Sequence, residues 1–188
     1  MAWKIDASHS TIEFSVKHMM IATVRGRFTT FDGALVLDEQ NPERSVVEGS
    51  VQAASIDTND PKRDAHLRSP DFFDVEKFPL MSYRAKSIRR VQGNDFKVAG
   101  DMTIKNATRE VTFDVTYEGD NKDPWGGRRR AFTAHTSLAR KDFDLTWNVA
   151  LETGGWLVGD QVKINVDLEL MYQPDAVPET SGAVAAAA

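Results

Sequence analysis

Strict alternation of apolar and polar residues is the feature that most restricts how this 188-residue chain can fold. Near its end, for example, Val162 and Ile164 alternate with Lys163 and Asn165. Successive side chains of a β-strand point to opposite faces, so this period is typical of a strand with one buried face. It recurs in eight segments, at residues 12–16, 24–38, 47–53, 81–86, 96–104, 111–117, 132–138 and 162–170.

Eight half-buried strands predict an all-β fold in which an antiparallel sheet closes on itself. The turn-forming segments 92–95 and 105–108 join successive strands directly, which favours an up-and-down order. In the second strand the inward-facing residues occupy even-numbered positions up to Phe28 and odd-numbered positions from Phe31. This change predicts a bulge or a bend. We therefore expect an eight-stranded antiparallel up-and-down barrel over residues 1–173.

The segment between the third and fourth strands lacks this alternation. Asp60-Pro61 is a helix N-cap followed by proline at the first helical position, and residues 62–68 favour a helix. Ser69-Pro70 repeats the same signal before an aromatic stretch. We expect a short helical insertion here, either one helix or two turns at an angle. Residues 174–188 have little to bury and are expected to form a flexible C-terminal tail.

Composition excludes several classes of function. Without cysteine, the chain has no disulfide, no thiol nucleophile and no cysteine-bound zinc. Its net charge of −5 argues against nucleic-acid binding, which depends on neutralising phosphates. No apolar run approaches the ~20 residues of a membrane helix. Charges near the N-terminus interrupt any leader-like apolar stretch, so we expect a cytoplasmic protein.

A search for catalytic or metal-binding patterns finds little. The four histidines form no His-x-His or His-x-x-x-His pair, and there is no Gly-x-Ser-x-Gly elbow. We therefore expect no metal, no cofactor and no catalytic residue. The run Arg128 to Arg130 leaves two interpretations open. It is either a solvated loop or a contact for an anionic head group or membrane surface near the barrel mouth.

Aromatic residues are the better candidates for binding. An eight-stranded barrel is just wide enough either to be filled or to hold one small ligand. Inward-facing aromatics would then line a cavity, and aromatics of the connections would form its lid or mouth. The predicted ligand contacts are Phe14, Val16, His18, Phe28, Phe96, Phe113 and Phe132 on strands, and Phe72, Phe73, Phe143, Trp147 and Trp156 in connections.

An ordered set of motifs over residues 3–172 resembles the YceI-like polyisoprenoid-binding proteins. In chain order these motifs are Trp3-Lys-Ile-Asp6-Ala-Ser-His9-Ser10, Phe14-Ser-Val-Lys-His18, Val24-Arg-Gly26-Arg-Phe28, Ser55-Ile-Asp57-Thr58, Arg63-Asp64-Ala-His66-Leu67-Arg68-Ser69-Pro-Asp71-Phe72-Phe73-Asp74, Phe78-Pro79, Gly100-Asp-Met-Thr103-Ile and Arg140-Lys-Asp142-Phe143. The resemblance implies a lipocalin-like barrel that holds a long isoprenoid lipid, such as a polyprenyl phosphate or an isoprenoid quinone. It also implies binding without catalysis and a homodimer.

The resemblance further implies roles for residues of the frame. Gly26 and Gly100 would permit bends, and a set of polar residues would tie the inserted helix to the barrel without touching the ligand. Arg63, Asp64 and His66 would have this role, and Arg68, Arg140 and Asp142 belong to the same frame motif.

Three functions follow as hypotheses. The first is a carrier or store for an isoprenoid or other long-chain lipid, because each buried methylene contributes ~0.8 kcal/mol and no polar motif is needed. The second is an enzyme on a hydrophobic substrate, with His18, His66 or Asp142 as acid or base. The third is a structural or partner-binding barrel with a packed interior. The three hypotheses differ in whether the barrel contains a cavity and in which titratable groups face that cavity.

Overall fold

The computed structural model describes residues 2–173, so the predicted tail lies outside the described residues. Within them, no helix is long and apolar enough to cross a membrane. The strands are β1 (Ala2–Ile5), β2 (Thr11–His18), β3 (Ala22–Phe28), β4 (Phe31–Val36), β5 (Val46–Gln52), β6 (Ile56–Asp57), β7 (Leu80–Gln92), β8 (Asp95–Ile104), β9 (Ala107–Lys122), β10 (Arg128–Ala139) and β11 (Val158–Tyr172). The α-helix α1 spans Pro61–Arg68, and single 3-10 turns lie at Pro42–Arg44, Ala53–Ser55 and Arg140–Phe143.

These strands form a closed, eight-stranded antiparallel barrel in up-and-down order, as the alternation predicts. The first three barrel strands are each divided in two, as β1/β2, β3/β4 and β5/β6. The last strand, β11, closes the ring by pairing with β2 along its first part and with β1 at its end. The helical insertion lies between the third and fourth barrel strands, at the predicted place.

The parity change in the second barrel strand corresponds to the break between β3 and β4. Pairing stops after Phe28 and resumes at Phe31, so the two halves turn different residues inward. The amide of Thr29 donates to Ser55 O at 3.2 Å, which holds the break against the next strand.

Several strands are longer than the sequence predicts, among them β9, and two differences have a clear cause. β1 was not predicted, because only Trp3 and Ile5 carry its alternation. β7 extends to Gln92 instead of ending near residue 86. A register shift between Ala85 and Ser87 breaks the period there, and the outer half of the strand is mostly exposed. Because a bulge of this kind interrupts the alternation of apolar and polar residues, the part of the strand beyond it cannot be recognised from a period of two.

The inserted helix is fixed by its cap and by its flanks. The Asp60 carboxylate accepts hydrogen bonds from the amides of Lys62 (3.0 Å) and Arg63 (3.2 Å), which satisfies the first turn. Ser69-Pro70 does not start a second helix. The chain instead continues in turns, in which the amides of Phe72 and Asp74 both donate to Ser69 O.

Gly100 allows the backbones of β7 and β8 to approach closely. A Cβ at this position would overlap the carbonyl oxygen of Arg84 on the neighbouring strand. The glycine is therefore required by strand contact and not by a left-handed backbone conformation.

Candidate functional site

The interior of the barrel contains a cavity of about 510 Å³. Its walls are apolar side chains from the inward faces of the strands, among them Met81, Val98, Met102, Ile164 and Leu168. This volume lies in the range typical of small-molecule sites. A barrel with a fully packed interior, the third hypothesis, is not what the structure shows.

The cavity reaches the surface at one end of the barrel. The rim consists of Asp38 and Pro42 from the β4–β5 connection and Arg90 and Phe96 from the β7–β8 hairpin, and we call it the mouth. The other end lies next to α1. There Phe143 (1% exposed) and Leu145 (6% exposed) pack beneath the cavity as a floor. The cavity is therefore open at the mouth and closed at the floor.

Five of the predicted ligand contacts lie in the cavity wall. They are the inward strand residues Phe14, Phe28, Phe96, Phe113 and Phe132. Sequence reasoning missed the aliphatic majority of the wall, although these residues share the inward parity of the same strands. Contact of these side chains with a ligand remains a prediction.

The other predicted contacts do not line the cavity. Val16 and His18 lie at the end of β2, where His18 is opposite Val158. The connection aromatics do not form a lid over the mouth. Phe72 and Trp147 contact each other at a tilt, and both meet the ring of His66 edge-on beside the floor. Phe73 packs edge-on against Phe28, Phe143 is part of the floor, and Trp156 is 56% exposed. Their connections all lie at the closed end, which sequence alone could not assign.

Arg140 fixes the floor. Its guanidinium is 3% exposed, and it donates to the backbone carbonyls of Leu145, Trp147 (2.9 Å), Val158 (3.4 Å) and Gly159 (2.9 Å). Burial lowers the pKa of Arg140. The side chain thus holds the β10–β11 connection across the end of the barrel, and its hydrogen bonds go to protein carbonyls.

Residues of the helical insertion tie it to the third barrel strand. Buried Asp64 accepts from the amide (2.9 Å) and the hydroxyl (2.5 Å) of Thr58. Arg63 donates to the hydroxyl of Thr58 (2.8 Å) and to its carbonyl (2.7 Å). Arg68 donates to Ala54 O and Ile56 O, at 2.8 and 2.7 Å. These contacts are of the kind that the resemblance implies for the frame residues.

His66 and Asp142 are placed differently from the other frame residues. The Nε2 of His66 is 2.8 Å from the Asp71 carboxylate in its own segment, and its ring lies against Trp147. Asp142 is exposed on the 3-10 turn. Neither residue lines the cavity, and neither does His18, so these three do not meet there as the enzyme hypothesis requires.

Tyr83 is an acidic group in the cavity wall, but its proton is engaged. The hydroxyl donates to Val98 O at 2.9 Å and lies 3.3 Å from Val111 O. Burial, followed by the charges of Glu110 and Asp101, raises the pKa of Tyr83. This phenol therefore joins wall strands and stays protonated.

The Arg128–Arg130 run lies at the mouth end, and carboxylates of the protein neutralise it. Arg128 and Arg130 share Glu39 and Asp120, with nitrogen-to-oxygen distances of 3.0 to 3.6 Å. Hydrogen bonds from Arg130 and Arg128 lower the pKa of Asp120. These arginines are thus neither a free solvated loop nor an open basic patch.

Arg129 belongs to a separate cluster outside the barrel wall. Its Nη1 lies 2.5 Å from Asp6 and 3.0 Å from Glu169, and its Nε lies 3.1 Å from Asp123. Asp6, His9 and Glu169 come close enough together to resemble a metal site. The guanidinium sits between the two carboxylates, however, so the cluster is an ion-pair network that joins the β1–β2 turn to β11.

The Asp6 cluster makes stability depend on pH. Hydrogen bonds from Ser8, then His9, then Arg129 hold the pKa of buried Asp6 well below its usual range. The hydrogen bond to Asp6 in turn raises the pKa of His9. The stability from ionised Asp6 is fully present above ~4, the pKa of an unfolded aspartate, and is lost as the pH falls through the lower folded value.

We predict that Asp6→Asn lowers the free energy of unfolding at pH 7, because the amide cannot replace the carboxylate in the ion pairs. The difference from wild type should shrink as the pH falls below ~4, where the wild type also begins to lose the charge. Urea unfolding from pH 7 to pH 2 measures this, with Asp142→Asn as an exposed control. A deficit that stays constant over the whole range contradicts the prediction.

A closed antiparallel barrel with an apolar internal cavity open at one end defines a lipocalin-like β-barrel. The YceI-like domain matches residues 3–170 of this chain. The chain is 38% identical to a UPF0312 protein of Photorhabdus laumondii over 144 residues, 76% of this chain and 74% of the relative. It is 35% identical to Protein YceI of Salmonella newport over 146 residues, 77% of this chain and 76% of the relative. The chain belongs to the YceI-like family.

Solved structures share the fold. The YceI protein of Campylobacter jejuni superposes with a TM-score of 0.72 at 25% identity, covering 84% of this chain and 90% of that one. Burkholderia cenocepacia BcnA gives 0.75 at 22% identity, covering 88% and 98%. A polyisoprenoid binding domain from Saccharophagus degradans gives 0.66 at 12% identity, covering 92% and 99%.

Proposed function

We propose that this protein binds a long isoprenoid lipid in the barrel interior and carries or stores it without catalysis. The observation that carries the proposal is the apolar cavity, which opens at the mouth and is closed by the Arg140 floor. Each methylene transferred from water into such a cavity contributes ~0.8 kcal/mol, so a chain of isoprene units binds tightly without a polar motif.

Two further observations support the proposal. The family is YceI-like, and a protein of the same fold is described as a polyisoprenoid binding domain. His18, His66 and Asp142 do not line the cavity, and the hydroxyl of Tyr83 in its wall donates to a backbone carbonyl. A homodimer and a cytoplasmic location stay predictions.

Mass spectrometry of an organic extract tests the proposal. Protein purified without detergent is extracted with chloroform and methanol, and the extract is compared with that of a barrel of unrelated function from the same cells. We expect an isoprenoid lipid in near-stoichiometric amount. Adding a polyprenyl ligand to delipidated protein should quench tryptophan emission. Finding no lipid and no quenching would refute the proposal.

A further inference from the structure

Arg130 is the cation that points into the barrel near the mouth. Along β10 it shares the inward face with Phe132, and it pairs across to Leu170, which is fully buried. Its side chain is only 11% exposed and forms part of the cavity wall. Its Cζ lies 4.6 Å from the ring centre of Trp3 and 5.5 Å from that of Tyr117. Arg130 is therefore a polar group held in place at the mouth end of the apolar cavity.

The hydrogen-bonding capacity of Arg130 is only partly used. Nη2 donates to Glu39 (3.0 Å) and Asp120 (3.2 Å). Among residues 2–173, Nε is buried and has no hydrogen-bond partner, and Nη1 forms no hydrogen bond. Buried donors are nearly always paired, and an unpaired one costs free energy. Because Nε has almost no accessible surface, a ligand acceptor would bond to Nη1.

The charge around Arg130 is balanced. Two guanidinium groups, those of Arg128 and Arg130, face the two carboxylates of Glu39 and Asp120. A phosphate entering this site would lose its hydration and meet both carboxylates, with no cation left unpaired to compensate. A carbonyl oxygen meets neither obstacle, because it accepts a hydrogen bond without adding charge.

We propose that Arg130 donates the hydrogen bond that receives the polar head of the bound lipid, and that this head is an uncharged oxygen acceptor such as a carbonyl. The inference rests on the proposed function, and it adds the head-group chemistry and the residue that selects it. Arg90 provides the contrast. It lies exposed at the rim over Phe96, where its backbone amide donates to Glu43 Oε1 at 3.4 Å. Its guanidinium forms no ion pair with the described residues, and an anionic head would bind there instead.

Three probes with the same ten-carbon chain test this proposal: a ubiquinone with two isoprene units, geranyl phosphate, and the corresponding hydrocarbon without a head. Titrations follow tryptophan emission in wild type, Arg130→Lys, Arg90→Gln and Arg89→Gln.

The Arg130→Lys variant keeps the positive charge but removes the planar hydrogen-bond donor. We expect it to weaken quinone binding ~10-fold, the effect of one lost hydrogen bond to a buried acceptor, and to leave hydrocarbon binding within about twofold. Arg89→Gln changes an exposed arginine that is not part of the cavity wall, and it should leave quinone binding unchanged.

A second readout does not depend on how the variant folds. The infrared carbonyl band of the quinone bound to wild type should shift to lower wavenumber than in alkane solvent, because the carbonyl accepts a hydrogen bond. Equal quinone affinity in Arg130→Lys and wild type, or an unshifted band, overturns the inference and leaves the proposed function intact. Tighter binding of geranyl phosphate that is lost in Arg90→Gln overturns it as well. If none of the probes binds wild type, the proposed function fails and the inference fails with it.

Discussion

Replacing Arg140 by methionine is expected to lower the free energy of unfolding by about 3 kcal/mol or more, since buried carbonyls left unpaired cost ~1–3 kcal/mol each. Four backbone carbonyls from the β10–β11 connection and the start of β11 lose the guanidinium in this variant, and Val158 O keeps the side-chain amide of Asn148 at 2.7 Å. Because methionine fills similar space, the lower stability would come from the missing hydrogen bonds and not from a new cavity.

The control for this variant is the neighbouring residue Lys141. It is half exposed and pairs with Asp160 at 2.8 Å, so Lys141→Met should change stability by less than ~1 kcal/mol. Urea unfolding at pH 7 measures both variants. Hydrogen exchange should localise the effect of Arg140→Met to residues 145–157, which the guanidinium holds. An Arg140→Met variant as stable as Lys141→Met would show that the floor does not depend on this residue.

The architecture of the barrel could be predicted because buried and exposed side chains alternate along its strands. Each strand that buries one face shows a period of two, and short turns leave little choice of neighbour. The failures have equally physical causes. β1 is too short to show a period, and the register shift near Ala85 interrupts it in β7. A pattern identifies a strand only where the strand is long and regular.

The candidate site was predictable only in part. The inward parity of Phe14 and Phe113 follows from the strand pattern, and both residues line the cavity. Whether the connections of Phe143 and Trp156 meet at the mouth or at the floor depends on which barrel end they leave, and local sequence does not carry this information. The neutralisation of Arg130 by Glu39 depends on residues 91 positions apart. Long-range charge pairing of this kind has no signature in spacing.

Filling the cavity at Gly49 is expected to weaken lipid binding by ~100-fold or more while leaving the fold in place. Gly49 lies on β5 in the cavity wall, and a Cβ there would meet nothing closer than Asp32 O, at 3.8 Å. The indole of Gly49→Trp would occupy space that the lipid chain needs. Excluding four methylenes, at ~0.8 kcal/mol each, weakens binding by ~100-fold or more. The free energy of unfolding should fall by less than ~2 kcal/mol, because the new side chain enters a void.

Two variants at paired positions make this test discriminating. Gly49→Ala adds a methyl group to open space and should bind lipid as wild type does. Gly33, opposite Gly49 on β4, has no such room, since a Cβ would lie 2.7 Å from Glu48 O and 2.9 Å from Ile5 Cδ1. Gly33→Ala should therefore lose stability by ~1–3 kcal/mol through overpacking. Lipid titration and urea unfolding of all three variants separate binding from folding. If Gly49→Trp lowers the free energy of unfolding by more than ~3 kcal/mol, the interior is packed in solution. If it folds and still binds lipid with wild-type affinity, the lipid lies elsewhere.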